Sequence, residues 1–327
     1  MPSEFDLIQR YFKWPVTNTL LGIGDDAAVI APNTEMELAI STDCLVAGQH
    51  FSENTDPYKL GYKSLAVNLS DMAAMGAVPR WATLSLTLPH SVIDHHESWL
   101  GEFSKGFHAL AQEYQVALIG GDTASGPLNI SVHIIGEVKK GRWLRRSGAQ
   151  PGDDIWVSGC LGDAALALKH QMHEIALTDD EVAYCLPALD TPTARVALGQ
   201  RLIDWAHSAI DISDGLMADL GHILSCSARS ATIELQEVPG SAVMKRYLPS
   251  PLAVECLMTG GDDYELCFTA SPKNRSAIRQ IEQELQVPLT IIGEIKQQKM
   301  QKSDLIVYDS KGEKIVLEKK GYDHFAA

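Results

Sequence analysis

Three observations predict a mixed α/β fold built as two domains. Short apolar runs of strand length alternate with segments of helical period, the chain has 327 residues, and one basic, turn-rich stretch interrupts the pattern near its middle. The first strand is read at LAIST (38–42), followed by a helix from Pro57 to Met75 and a second strand at WATLSLTL (81–88). Between Ser91 and Tyr114, residues Trp99, Leu100, Phe103, Phe107, Leu110 and Ala111 recur at helical spacing, so a buried helix is expected there. It delivers the short run VALI and then Gly120, Gly121 and Asp122, and NISVHIIGEV (129–138) closes the first domain, 1–140. The stretch KKGRWLRRSGAQPGDD carries the boundary, and 150–327 forms the second domain. That half is expected to be helical to about Trp205, punctuated by Pro187 and Pro192. A strand at Ala209–Ile212, a helix from Asp214, strands at 264–270, 289–295 and 304–309, and a helix from Asn274 to Leu285 complete it.

Composition narrows the function. Hydrophobic residues make up 45% of the chain and charged ones 21%, which is ordinary globular composition. No stretch approaches 18 consecutive apolar residues, and Glu4 and Asp6 stand where a signal peptide would be apolar, so neither a membrane span nor a leader is expected. A net charge of −15 is the wrong sign for holding nucleic acid through its phosphates. The six cysteines form no C-x-x-C pair and read as thiols of a reducing cytoplasm.

The acids are placed with more information than their number carries. GIGDD (22–26), ISTD (40–43), LIGGD (118–122) and AIDISDG (209–215) each set a carboxylate at the end of an apolar run, beside Gly or Ser. Strand-end loops are where α/β proteins gather ligand-binding groups. Asp71 lies instead within a helix, one turn after Asn68, where a carboxylate needs a partner. Any one of these motifs is ordinary turn or cap chemistry, and Asp214 could do no more than start its helix. Asp26, Asp43, Asp71, Asp122, Asp211 and Asp214 taken together imply a converging set that repels itself unless hard divalent cations neutralise it. Magnesium fits, and because it fills most of its shell with water and phosphate oxygens, phosphorylated ligands are implied as well. Arg142, Arg145 and Arg146 are the cations grouped near the boundary, and SGCLGDAALAL offers a glycine turn opening a helix. The phosphate-loop, protein-kinase catalytic-loop, dinucleotide-fingerprint and zinc-helix motifs are all missing.

Taken in order, GIGDDAAV, ISTDCLVAGQHF, YKSLAVNLSDMAAMGAVP, LIGGDT, RRSGAQPGD, AIDISDGL, GGDDYELCF and the closing KGYDHF resemble the thiamine-monophosphate kinase family, of the aminoimidazole-ribotide-synthetase-like superfamily. The resemblance spans nearly the whole chain. It implies a two-domain fold of that superfamily, whose N-terminal half supplies barrel-forming strands to a cytoplasmic homodimer. It also implies transfer of the γ-phosphoryl of ATP to thiamine monophosphate with several Mg²⁺ ions. By motif, Asp26, Ser41, Thr42, Asp43, Asp71, Asp122, Asp211 and Asp214 correspond to metal-binding positions. Gly121, Asp122, Arg146 and Ser213 correspond to nucleotide contacts, and His50, Asp262 and Tyr322 to acceptor contacts. The chain has GGDD where the family commonly has GGED, so Asp262 is one methylene shorter. No general base is expected, because a phosphate monoester with a second pKa of about 6 is already ionised near neutrality. Another ATP-using enzyme of the superfamily, or a non-catalytic Mg-nucleotide or Ca²⁺ module, is the alternative.

Overall fold

The computed structural model describes residues 3–94, 96–298, 303–317 and 321–322. The chain divides into two compact units, Met1–Met72 with Ala77–Arg142, and Ala73–Gly76 with Trp143–Ala327. Among the described residues the mixed α/β expectation holds in both.

The first unit runs α1 (Glu4–Tyr11), β1 (Met36–Val46), α2 (Pro57–Met75), β2 (Val78–Leu88), α3 (His90–Asp94), α4 (His96–Glu113), β3 (Ala117–Ser125) and β4 (Asn129–Lys139). Its four strands lie in the order β1-β4-β2-β3, with only the β2-β3 pair parallel. Leu100, Phe103, Phe107 and Leu110 of α4 are fully buried, as their spacing requires. Each contributes about 1.5–3 kcal/mol by leaving water. Leu60, Leu65, Leu69 and Met72 form the buried side of α2. In β1 exposure alternates, with Ser41, Asp43 and Leu45 on the less exposed side and Ile40, Thr42 and Cys44 on the other. The Ser41 hydroxyl donates to Asp71 Oδ2 of α2, so the Ser41 and Asp43 side of the strand is the one that meets this helix.

The second unit adds β5 (Asp154–Ser158), α5 (Asp163–Gln171), α6 (Asp179–Asp190), α7 (Val196–Leu202), β6 (Ser208–Ile212), α8 (Leu216–Ser227) and β7 (Arg229–Glu234). It continues with α9 (Ala242–Tyr247), α10 (Pro251–Thr259), β8 (Glu265–Ala270), α11 (Arg275–Leu285), β9 (Leu289–Gln297), β10 (Leu305–Tyr308) and β11 (Lys314–Ile315). The sheet order is β11-β10-β7-β9-β5-β8-β6. Strand β5 stands where the sequence predicts helix. All five of its residues are buried, so it carries no in-out alternation that could be told from a buried helix. Strand β7 and the short helices α9 and α10 also fall outside the expected elements. The core gathers Ile155, Val157, Leu166, Ile212, Leu220 and Leu257, all essentially inaccessible.

Candidate active site

In the first unit, Ser41, Thr42 and Asp43 lie inside β1, and Asp122 lies inside β3. This corrects the expectation of strand-end loops. Asp43 pairs with Val132 and Asp122 with Ser85, so both strands continue past their apolar runs. Strand pairing uses backbone groups and does not need apolar side chains, which is why the end of the hydrophobic run is not the end of the strand.

The register row Asp43, Val132, Leu84, Gly121 places Asp43 and Gly121 on the two edge strands. Three spacings of about 4.8 Å put them about 14 Å apart along the sheet. Ser41, Asp43 and Asp71 are therefore brought together, whereas Gly121 and Asp122 form a second locus on the opposite edge. Gly121 has φ of 153° and an added Cβ would stand 1.8 Å from Leu84 O, so only glycine lets β3 run this close to β2. Gly121, Asp122 and Thr123 border a small, partly open cleft with Ile8, Phe12 and Ile23. Asp26 is exposed in the loop 24–28.

His50 is fixed by a turn in which Val46 and His50 exchange two bonds. The Val46 N–H donates to His50 Nδ1 at 3.0 Å, and the His50 N–H donates to Val46 O at 3.0 Å. With Nδ1 acting as an acceptor, the single proton of the neutral ring is on Nε2. The ring is thus set up to donate through Nε2.

In the second unit Asp211 lies inside β6, paired with Leu266 and buried, which again corrects the expectation of a strand-end loop, and Ser213 and Asp214 lie on the loop that follows. Strand β6 ends at Ile212 and the chain turns through Ser213, Asp214 and Gly215 into α8. Gly215 occupies the N-cap position, and no side chain at that position caps the helix. Asp219, one turn into α8, does the work that the sequence reading offered to Asp214. Its Oδ2 accepts from the backbone N–H of Ser213, Asp214 and Gly215 at 3.0, 3.0 and 3.1 Å. Asp219 is 2% exposed. Burial first, then the negative charge of Asp211 and Asp214, pushes its carboxyl up to about 7 against the lowering effect of those N–H groups.

With its N–H groups turned inward, the loop presents its carbonyls to neighbouring segments. Ile212 O accepts from Tyr264 N–H at 2.8 Å, Ser213 O from Asp262 N–H at 2.9 Å and Asp214 O from Tyr322 N–H at 3.0 Å. Both acceptor candidates of this unit, Asp262 and Tyr322, therefore hang from the loop that carries Ser213 and Asp214. Gly261 permits the approach, since a Cβ there would lie 2.5 Å from Ser213 O. Asp263 turns the other way and accepts from Gly162 N–H at 2.8 Å, which ties the GGDD segment to the start of α5. Desolvation raises its carboxyl well above the ordinary range. Arg146 is exposed, and its carbonyl accepts from Ser227 Oγ at 3.4 Å. The terminal residues 323–325 of the closing motif lie outside the described residues.

Sequence reasoning missed Asp219 and Tyr264. The signal for Asp219 was an acid one turn after the SDG turn, which reads as ordinary first-turn chemistry. Among the described residues, no three His, Cys, Asp or Glu side chains converge closely enough to hold a metal alone. The residues nevertheless fit magnesium. The donors are all oxygens, and the mutual repulsion of Asp211, Asp214 and Asp219 is negative charge that a cation would relieve. Residues that would hold it are Asp43 with Asp71, Asp122, and Asp211 with Asp214. No helix among the described residues is long and apolar enough to cross a membrane.

Comparison with known proteins follows the same lines. Residues 24–138 match the family "AIR synthase related protein, N-terminal domain". Thiamine-monophosphate kinase of Escherichia coli (strain K12) is 45% identical over 99% of this chain and 98% of its own length. The crystal structure of thiamine-monophosphate kinase from Stenotrophomonas maltophilia K279a superposes with a TM-score of 0.81 at 45% identity, covering 88% of this chain and 91% of that one. The structure of AaThiL complexed with AMPPCP and TMP does so with a TM-score of 0.76 at 29% identity, covering 98% and 96%. With a two-unit α/β architecture, the ordered acidic motifs and full-length similarity of this degree, the chain belongs to the thiamine-monophosphate kinase family.

Proposed function

We propose that this protein transfers the γ-phosphoryl group of ATP to thiamine monophosphate, giving thiamine diphosphate and ADP, as a step of thiamine diphosphate biosynthesis. The observation that carries the reading is full-length similarity to proteins of that name, one of them solved with AMPPCP and TMP. The geometry supports it, because a single loop carries the nucleotide candidate Ser213 and holds the backbones of the acceptor candidates Asp262 and Tyr322.

Asp43, Asp71 and Asp122 are the principal Mg²⁺ holders, joined by Asp26, Ser41, Thr42, Asp211 and Asp214. When bound, Mg²⁺ supplies charge neutralisation for two phosphorylated molecules and for the transferring group. Gly121, Asp122, Arg146 and Ser213 face the nucleotide, with the Arg146 guanidinium suited to phosphate oxygens. His50, Asp262 and Tyr322 orient the acceptor. Phosphoryl transfer leaves the protein mainly positioning and electrostatic work. The acceptor's phosphate oxygen, ionised above its second pKa of about 6, attacks in line without a protein base. The Nε2–H tautomer of His50 supports this assignment, since a ring nitrogen already carrying hydrogen donates to the acceptor and does not take its proton.

The working form is a homodimer. Both edge strands of the first sheet, β1 and β3, have one strand neighbour each among the described residues, and Leu38 and Ile40 of β1 are 40% and 65% exposed. The six free thiols, three of them buried, suit a reducing cytoplasm.

The test is an ATP-consumption screen with thiamine monophosphate, thiamine, aminoimidazole precursors and selenide, run with and without Mg²⁺. ADP release that requires both thiamine monophosphate and Mg²⁺ is the expected result. ADP release with another acceptor, or with none, would replace this reading by one of the superfamily alternatives.

A further inference from the structure

The segment Asp262–Tyr264 has a backbone that its side chains do not favour. Asp262 has φ of 69° and Tyr264 φ of 49°, so two non-glycine residues flanking a single one occupy the left-handed region. Such conformations cost on the order of 1 kcal/mol or more each and persist only where surrounding contacts over-determine them. Hydrogen bonds to neighbouring segments supply those contacts. The Asp262 N–H is held by Ser213 O, the Tyr264 N–H by Ile212 O, and the Asp263 carboxylate by the Gly162 N–H. The Tyr264 ring is 8% exposed, anchored in the unit, and its hydroxyl donates to Asp262 Oδ1 at 2.9 Å.

The left-handed backbone at both residues takes the segment out of strand geometry, and in this conformation the Tyr264 hydroxyl reaches Asp262 Oδ1. We propose that Tyr264 is a positioning residue. Its hydroxyl fixes the direction of the Asp262 carboxylate, and so makes this short acid a preorganised recognition group for the cationic heteroaromatic ring of the acceptor. An aspartate has fewer torsions to restrain than a glutamate, and the Tyr264 hydroxyl on Oδ1 restrains the one that turns its carboxylate. The strain stored in the backbone thereby yields a carboxylate aimed before the acceptor arrives. The inference rests on the acceptor reading of Asp262 given above, and adds to it the residue that aims the carboxylate.

The experiment is a double-substitution cycle on the full chain with Tyr264→Phe, which keeps the buried ring and deletes the hydroxyl, and Asp262→Gly. Glycine removes the carboxylate while accepting the left-handed backbone, so loss of fold does not mask the result. Tyr264→Phe is expected to raise the KM for thiamine monophosphate about ten-fold while kcat and the KM for ATP stay within about two-fold, the loss of one hydrogen bond to a charged group. In the Asp262→Gly background the same change is expected to have no further effect on the acceptor KM.

Three results would each overturn the inference. They are an unchanged acceptor KM in Tyr264→Phe, equal increases in both KM values, and the same fold-change with Asp262 absent. A wild-type chain that does not consume ATP in response to thiamine monophosphate would overturn the acceptor reading itself, and it is measured first so that the two failures stay separate.

Discussion

The two units present their acids in different ways. In the first, Asp43 and Asp122 stand on edge strands and Asp71 on a helix, held by the sheet register and the Ser41 bond. In the second, the loop Ser213–Gly215 has three N–H groups on Asp219, and the consecutive carbonyls of Ile212, Ser213 and Asp214 accept from Tyr264, Asp262 and Tyr322. Strands give rigid carboxylates suited to holding cations near transferring charge. A loop saturated with backbone bonds gives recognition groups whose direction is set in advance. The comparison teaches that substitutions of the carboxylates Asp43, Asp71 and Asp122 should act on turnover, and those of Asp262 and Tyr322 around the second unit's loop on acceptor affinity.

The largest effect is expected where that division is sharpest. Asp43→Asn, Asp71→Asn and Asp122→Asn should each lower kcat by about 10²–10³ while thermal unfolding stays near that of the wild type. Near-normal turnover at saturating Mg²⁺ would break the assignment of charge-holding to the strands. Next comes Asp219→Ala, which leaves three backbone N–H groups without their acceptor. A stability loss on the order of 2 kcal/mol, with increases in the KM of both substrates, is expected from melting curves and steady-state kinetics. Asp219→Asn keeps an oxygen acceptor and should recover most of both. Unchanged KM values in the alanine variant would show that the loop does not depend on Asp219 for its shape.

The comparison is sharpened by a smaller, selective pair. Arg146→Ala should raise the KM for ATP more than that for thiamine monophosphate, and Tyr322→Ala the reverse, each by about five- to ten-fold. Parallel increases in both variants would merge the nucleotide and acceptor roles.

The smallest effect concerns stability alone. Burial raises the Asp163 carboxyl above its ordinary value, against the lowering bonds from Ser241 and Cys185. The folded state therefore keeps a proton that the unfolded state has released, and this group's contribution falls as pH rises from about 4 through the raised folded value. Asp163→Asn should shift the melting temperature more favourably near pH 8 than near pH 4, as read from paired melts. A shift independent of pH would mean that the carboxyl titrates normally.

Much of this was legible in the sequence, for identifiable reasons. The helix Pro57–Met75 and the buried stripe of α4 follow from period alone. Strand β5 did not, because a strand buried on both faces has no alternation. Edge strands β1 and β3 extend further than their apolar runs, since their polar stretches are paired through the backbone. The acids of the site were visible as residues. What aims them was not: Asp219 gathers its three N–H groups through a helix turn, and Tyr264 bonds Asp262 across a segment with two left-handed residues. Such contacts depend on φ values that no hydrophobic pattern encodes.

The central claim is a single direct transfer from ATP to the acceptor phosphate with no protein base and no phosphorylated protein group. It is tested most directly with ATP made chiral by oxygen isotopes at the γ-phosphorus, followed to the terminal phosphate of the thiamine diphosphate formed. One in-line displacement inverts the configuration at phosphorus, and inversion is the predicted result. Retention would require two displacements through a phosphorylated intermediate and would contradict the account.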